Sequence, residues 1–266
     1  FRDRARAKLD VVIGQTGNEL MESGVWLRYA HDVPLLPVNT IHLPSVYNIL
    51  LPDALLKNPL IDSMFTDGLV PFVEKQSAHV YNHSDGLVVL SEGLKRYWEK
   101  RGVTAPIHVI PRPIEPKIFD TAPTVDPFPA HFPRGSRLLV VCRHVREKGV
   151  ARLLTIFAEH IAPVVPEATL TLVGDGPDHE RFREMAARLG IAHRTHFPGE
   201  FPVTQIPAFY RFGDLFLYTS LSETYGQVVS EALWCGLPVV ALADDMGVSQ
   251  QIVAQLRGFL TLALRE

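Results

Sequence analysis

The chain has 266 residues, a length that suits two modest domains, each able to bury its own core. Charged residues make up 21% and the formal net charge is -3, which excludes a global field recruiting nucleic acid or an acidic membrane, so any anion site has to be local. The two cysteines, Cys142 and Cys235, lie in apolar surroundings without CxxC spacing and read as buried, reduced thiols of a cytoplasmic compartment. No apolar run reaches the ~20 residues that span a bilayer, so peripheral association is the most that a membrane is expected to see of this chain.

In chain order, strands are predicted over Leu9 to Ile13, Leu35 to Thr40, Gly86 to Leu90 and His108 to Ile110. A helix is predicted over Pro71 to His83, where Pro71 suits the first turn. This is an α/β unit with fewer strands than a complete Rossmann-like domain, assigned to residues 1–119. Because the chain opens on Phe1 with a strand already near at hand, a fragment or processed product is expected. The next segment, DTAPTVDPFPAHFPR, is dense in proline, which denies it helix and sheet hydrogen bonds, and residues 120–136 read as a linker.

From Arg137 onward, short β-branched or leucine-rich runs alternate with helical patterns, the signature of a parallel sheet covered on both faces. Strands are predicted over Leu138 to Cys142, Thr169 to Val173, Thr195 to Phe197, Leu215 to Tyr218, Pro238 to Leu242 and Gly258 to Leu262. The helices between them are Val150 to Ile161, Glu180 to Leu189, and Gly226 to Cys235, the last stopped by Gly236 and Pro238. Residues 137–266 are therefore a Rossmann-like domain, and the fold class is α/β with two such domains, the first incomplete.

The richest stretch for chemistry is SETYGQVVSEALWCGLPVV, 222–240. A loop running into a helix start presents unpaired N–H groups and the positive end of the helix dipole, which suits a phosphate. Glu223 falls just before that helix and Glu231 inside it, and carboxylates beside a phosphate site suit hydrogen bonds from vicinal sugar hydroxyls. Gly226 admits close approach of a ligand to backbone, Ser222 can cap, and the pattern reads as a sugar-nucleotide site. The plainer alternative is an amphipathic helix with two surface glutamates.

Upstream, VVCRHVREKGV places Arg143 and Lys148 on the loop after a strand, at the end where open parallel sheets bind ligands. Arg as a planar fork and Lys as a point charge can clamp a diphosphate, while a solvated basic loop is the competing reading. Asp175 in VGDGP lacks the GxGxxG spacing, so a nicotinamide cofactor is disfavoured and a strand-to-helix turn with Asp178 near the cap is expected. His42, in NTIHLPSVYN, also follows a strand, but one of eleven histidines carries little weight alone. His144, His193 and His196 have no metal-ligand spacing, and no basic and aromatic residues interleave as nucleic-acid binding requires.

In order and spacing, CRHVREKG, LTLVGDGP, HFPGE and SETYGQVVSEALWCGLPVVA resemble the retaining glycosyltransferases of family 4, which have the GT-B fold. The resemblance spans nearly all of the second half, and its most specific element is the Glu-x7-Glu motif, Glu223 to Glu231, followed by Gly-x-Pro-Val-Val. SDGLVVLSEGLKRYW and IHVIPRPIEPKIF resemble the end of the family's first domain more loosely. The resemblance implies transfer of a hexose from a UDP-sugar or GDP-sugar to an acceptor hydroxyl of a lipid, saccharide or small molecule, with retention at the anomeric carbon. It implies no cofactor, no obligatory metal and no nucleic-acid partner, and it leaves peripheral membrane contact open.

Residue by residue, it implies that Arg143 and Lys148 neutralise the leaving diphosphate, Glu223 meets the donor sugar and Glu231 the ribose. Backbone at Tyr225, Gly226 and Gln227 would meet the phosphates, and backbone near Gly199 the base. His42 matches the family's His near the transferred sugar. The chain departs from the pattern at Cys142, where the family has Gly, and at Trp234, where a smaller residue is common and a core-filling role is expected. The family's opening strands and the return of its last helix have no counterpart here. The alternative function is a nucleotide-sugar-binding fragment without transfer activity.

Overall fold

The computed structural model of the chain describes residues 9–15, 18–42, 58–121, 125–220 and 223–253. The strand expected over 258–262 and the cap expected from Ser222 lie outside the described residues. The chain divides into two compact units, Phe1–Arg112 and Pro113–Glu266.

In the first unit, β1 (Val12–Gln15), β2 (Leu35–Asn39), β3 (Leu87–Val89) and β4 (Ile107–Val109) form a parallel sheet in that order. Helix α1 (Asn18–His31) was not expected from sequence, because Gly24 interrupts its interior. That glycine is a packing residue, since a Cβ there would lie 2.6 Å from Leu35 Cδ1. The helix expected from Pro71 belongs to a longer helical stretch: α2 (Pro59–Ser63), a π-helical turn (Met64–Leu69) and α3 (Val70–Asn82). The π turn lets Val70 N–H reach Phe65 O just before Pro71, which has no N–H to give. After β3, Ser91 caps α4 (Glu92–Lys100) by accepting the Leu94 N–H at 3.2 Å. Leu35, Leu87, Val89, Leu94 and Trp98 are fully buried at the centre of this unit.

The second unit opens on a short helix, α5 (Pro116–Phe119). Its five-stranded parallel sheet consists of β5 (Arg137–Val141), β6 (Thr169–Val173), β7 (Thr195–Gly199), β8 (Leu215–Tyr218) and β9 (Val239–Ala241), ordered β7-β6-β5-β8-β9. Every residue of β5 and of β6 is buried, as strands covered on both faces must be. The pleat sends Leu138 and Val140 into one core, with Val150, Leu153, Leu154, Leu170 and Phe182. It sends Leu139 and Val141 into the other, with Val229, Ala232, Phe209 and Phe216. The helices that supply these partners are α6 (Val150–Ile156, continued by a π turn to Ile161), α7 (His179–Arg188), α8 (Ile206–Phe212) and α9 (Gln227–Trp234).

The proline-rich segment expected as a linker is packed on this unit. Phe128 and Phe132, with Phe119 from α5, are buried in the core that faces α8 and α9. Arg137 fastens the segment: its side chain is 5% exposed, donates to Phe132 O from Nε and Nη2, and pairs with Asp126 Oδ2 at 2.7 Å. Prolines forbid regular secondary structure but not burial of the phenylalanines between them.

Trp234 also departs from expectation. It is 48% exposed, and its Nε1 donates to Asp120 Oδ1 at 2.8 Å. On α9 the inward face is set by Val229 and Ala232, and a residue two positions after Ala232 points away from it.

Candidate functional site

The strand order of the second sheet reverses at β5: β6 and β7 lie to one side, β8 and β9 to the other. The carboxyl ends of the two strands that flank such a reversal, here β5 and β8, are the place where open α/β sheets receive ligands. The loop after β5 carries Arg143 and Lys148, and the loop after β8 carries Glu223.

The two loops are locked together. Residues 146–148 form a single 3-10 turn ended by Gly149, whose φ is +69°. A Cβ on Gly149 would stand 2.1 Å from Thr219 O, so only glycine lets this backbone approach the end of β8. Thr219 Oγ1 donates to Lys148 O at 3.1 Å. Across this seam Lys148 Nζ and Glu223 Oε1 form an ion pair, both side chains less than a fifth exposed. Ser220 Oγ donates to the same carboxylate oxygen at 3.1 Å. Arg143 differs: its side chain is 76% exposed and approaches Glu147 Oε1 only at 3.6 Å. One cation is thus fixed and one is extended toward solvent on the same loop. Cys142, just behind them, is a free thiol pushed up to about 12 by burial, so it stays protonated and takes no charged role.

On the other wall, Gly226 has φ +80° and begins α9; a Cβ there would meet Val248 Cγ2 at 2.8 Å. The preceding backbone is held from the opposite side. Asp244 accepts the N–H groups of Gly247, Val248 and Ser249 and starts a helical stretch over 248–253, from which the Gln251 amide donates to Tyr225 O. Ser230 Oγ donates to Tyr225 OH at 3.1 Å. Gln227 Nε2 donates to Pro113 O at 3.2 Å, and its Oε1 is buried with no partner among the described residues. Glu231 accepts from Tyr210 OH at 3.0 Å, and burial raises its carboxyl above the ordinary value. A half-buried carboxylate with one oxygen satisfied by a phenol retains acceptor capacity for a hydroxyl. Gly199 closes β7 with φ +88° and open space where a Cβ would be, while its carbonyl accepts the Gly174 N–H at 2.8 Å.

His42 belongs to the first unit. Its ring stands edge-on to Tyr97 with centroids 4.8 Å apart. Burial, then the Arg101 charge, lowers its pKa, opposed by Glu74. Glu74 is buried, pairs with Arg101 Nε at 2.7 Å and accepts from Tyr97 OH.

Among the residues predicted from sequence, the structure brings Lys148 onto Glu223 and arrays Tyr225, Gly226, Gln227 and Glu231 along the start of one helix. Asp175 and Asp178 fall in the expected turn, but the Asp178 side chain does not cap α7. Sequence reasoning missed Tyr210, Ser220 and Thr219. The run IPAFYRF marks Tyr210 as the polar member of an aromatic face, and Thr219-Ser220 ends a strand; neither pattern says what they touch.

Two parallel-sheet Rossmann-like units, the second with its candidate site at a reversal of strand order, define the GT-B class of glycosyltransferase folds. Anabaena HepE in complex with UDP superposes with a TM-score of 0.67 at 19% identity, over 94% of this chain and 63% of that one. Sucrose-phosphate synthase from Thermosynechococcus elongatus gives 0.67 at 20%, over 92% and 58%. The chain belongs to the glycosyl transferases group 1 family, which it matches over residues 127–262, just over half its length. A GDP-mannose-dependent alpha-(1-6)-phosphatidylinositol monomannoside mannosyltransferase of Mycolicibacterium smegmatis is 35% identical over 116 residues, 40% of this chain and 30% of that protein. A human phosphatidylinositol N-acetylglucosaminyltransferase subunit is 27% identical over 230 residues, 79% and 46% respectively. The chain thus spans less than half the length of these two relatives. Among the described residues no helix is long and apolar enough to cross a membrane.

Proposed function

We propose that this chain is the donor-binding and catalytic part of a glycosyltransferase that moves a hexose from a UDP-sugar or GDP-sugar to an acceptor hydroxyl, with retention at the anomeric carbon and with no metal step. The observation that carries the reading is the Lys148–Glu223 ion pair across the switch point, beside the exposed Arg143 and the glycine-led start of α9. HepE is solved with UDP, and the M. smegmatis relative depends on GDP-mannose, so both bases stand as donors. The family 4 resemblance and its Glu-x7-Glu assignment belong to this proposal.

Departure of a nucleoside diphosphate develops negative charge on its terminal phosphate. Lys148, held by Glu223, and the first N–H groups of α9 are in place before the reaction and therefore stabilise the transition state most, and the exposed Arg143 adds a second full charge. Glu223 keeps the Lys148 ammonium in position through its Oε1, and its second oxygen is the acceptor assigned to a donor-sugar hydroxyl. Glu231, with one oxygen bonded to Tyr210, is assigned the ribose hydroxyls. His42, whose pKa burial and Arg101 lower, is assigned by the resemblance as a hydrogen-bond partner of the transferred sugar.

Isothermal titration with UDP and GDP tests the donor site, and one of them is expected to bind. A proton NMR time course with the matching sugar nucleotide then reads the anomeric coupling of the released or transferred sugar, with retention expected. Binding without turnover supports the nucleotide-sugar-binding alternative, whereas binding of neither nucleotide sinks both.

A further inference from the structure

The second unit contains a buried imidazole pair that the proposed chemistry does not use. His144 follows Arg143 on the loop after β5 and is fully buried. Its Nδ1 lies 2.9 Å from Nδ1 of His179, the first residue of α7, and the rings stack with centroids 4.9 Å apart and 28° between planes. Phe182 and Phe197 stand edge-on to His144 at 5.9 and 6.1 Å, and Asp175 Oδ1 is 3.4 Å from His179 Nδ1.

The main chain of the same residue is tied as well. His144 N–H donates to Asp175 O at 2.8 Å, and His144 O accepts the Asp178 N–H at 3.0 Å. Gly176, with φ +157°, passes so close that a Cβ would stand 2.6 Å from His144 O. The loop after β6 therefore grips the loop after β5 at one residue by three hydrogen bonds, two from backbone and one from a side chain. That residue is the neighbour of Arg143 and lies four positions before Lys148. An apolar side chain could fill the space but would give no directional bond to set one loop against the other.

The two Nδ1 atoms share one hydrogen bond, one ring donating and the other accepting. His144 Nε2 is buried with no partner among the described residues, so a cationic His144 would bury an N–H without an acceptor. Burial first, and His179 second, lower the His144 pKa to about 4.

We infer that the His144–His179 pair is a positioning device that fixes the stretch of the loop presenting Arg143 to the donor diphosphate, while Glu223 holds Lys148, without either imidazole touching the donor. The inference rests on the reading of those two cations as a diphosphate clamp. It also explains a choice the rest of the fold does not require, a histidine at a fully buried position beside the site.

The test compares the wild type with Arg143→Ala, His179→Ala and the double variant by calorimetric titration with UDP, GDP and the corresponding monophosphates, alongside thermal melting. In His179→Ala, affinity for the diphosphate that the wild type binds is expected to fall about ten- to a hundredfold. Monophosphate affinity should fall less. Because both changes act through Arg143, the double variant should bind about as weakly as Arg143→Ala alone rather than showing the product of the two losses. His179→Phe, which keeps a packed ring but lacks Nδ1, carries the same expectation should His179→Ala fail to fold. A folded His179 variant with wild-type diphosphate affinity, or losses that multiply in the double variant, overturns the inference alone if Arg143→Ala still loses binding. Unchanged binding in Arg143→Ala overturns the clamp, and the inference with it.

Discussion

Both units are built from parallel strands and crossing helices, yet they use the carboxyl ends of their strands differently. In the first, the described strands run β1-β2-β3-β4 in one direction; in the second, the order turns at β5. A sheet that progresses one way sends successive crossovers the same way, whereas a reversal marks the strand ends at which open sheets receive ligands. His42 accordingly follows a strand end packed on Tyr97 beside the Glu74–Arg101 pair, while the second sheet assembles a cation, a carboxylate, a second cation and a helix start around one strand reversal. Strand composition was alike in the two halves; strand order made the difference.

That contrast breaks most sharply at Lys148. Lys148→Ala is expected to lower turnover about a hundredfold or more, the typical loss for one preorganised donor at a developing charge. A steady-state rate within threefold of wild type would place the charge stabilisation elsewhere. Next is Gly149→Ala, which combines φ +69° with a Cβ 2.1 Å from Thr219 O. It should destabilise the second unit by about 3 kcal/mol or more, read as loss of protection around residues 138–145 in hydrogen exchange while residues 87–109 keep theirs.

Acid separates the units by a comparable amount. His144 is lowered from 6.5 to about 4 in the folded protein, so between those values the unfolded chain binds the extra proton and stability falls as pH falls. His144 should account for roughly 2–3 kcal/mol of stability lost between pH 6.5 and 4 in the second unit, where the lowered His196 adds in the same sense, and His144→Phe should reduce that slope. In the first unit, burial and Arg101 lower His42 in the same sense, and Arg28 holds Asp85 down to about 2, a contribution present above its unfolded value near 3.8 and lost toward pH 2. That pair is partly exposed and worth less than about 1 kcal/mol. A common acid midpoint for both units in the wild type would remove the distinction.

Within the first unit, Glu74→Ala leaves the Arg101 guanidinium and the Tyr97 hydroxyl without their buried acceptor, a cost of about 2 kcal/mol. Its signature is a lower melting temperature with the UDP or GDP affinity of the second unit unchanged. The smallest effect belongs to Trp234→Ala. An indole half in solvent with one hydrogen bond to Asp120 should be worth about 1 kcal/mol, against the ~3 or more of a core tryptophan, and urea titration tells the two apart.

Much of the architecture was legible because its signals are local. The runs at Thr169–Val173 and Leu215–Tyr218 are bounded by turn residues and form strands over the predicted spans. Gly226 and Lys148 stood out because a glycine before a helix and a cation after a strand are informative by type. What escaped had no local signal. Helix α1 hides behind Gly24, which is there for Leu35, and the proline-rich segment reads as a linker because burial of Phe128 and Phe132 depends on a sheet that begins after it.

The sequence alone determined the α/β alternation, the two-unit organisation and the kinds of side chain at the strand ends, since periodicity and turn chemistry act within a few residues. The tertiary structure decided which strand ends meet. Lys148 and Glu223 are 75 positions apart, and His144 and His179 are 35 apart. Each pairing exists because β5 packs between β6 and β8, an order set by how two apolar faces are buried together, on which neither residue's neighbours in the chain have any bearing.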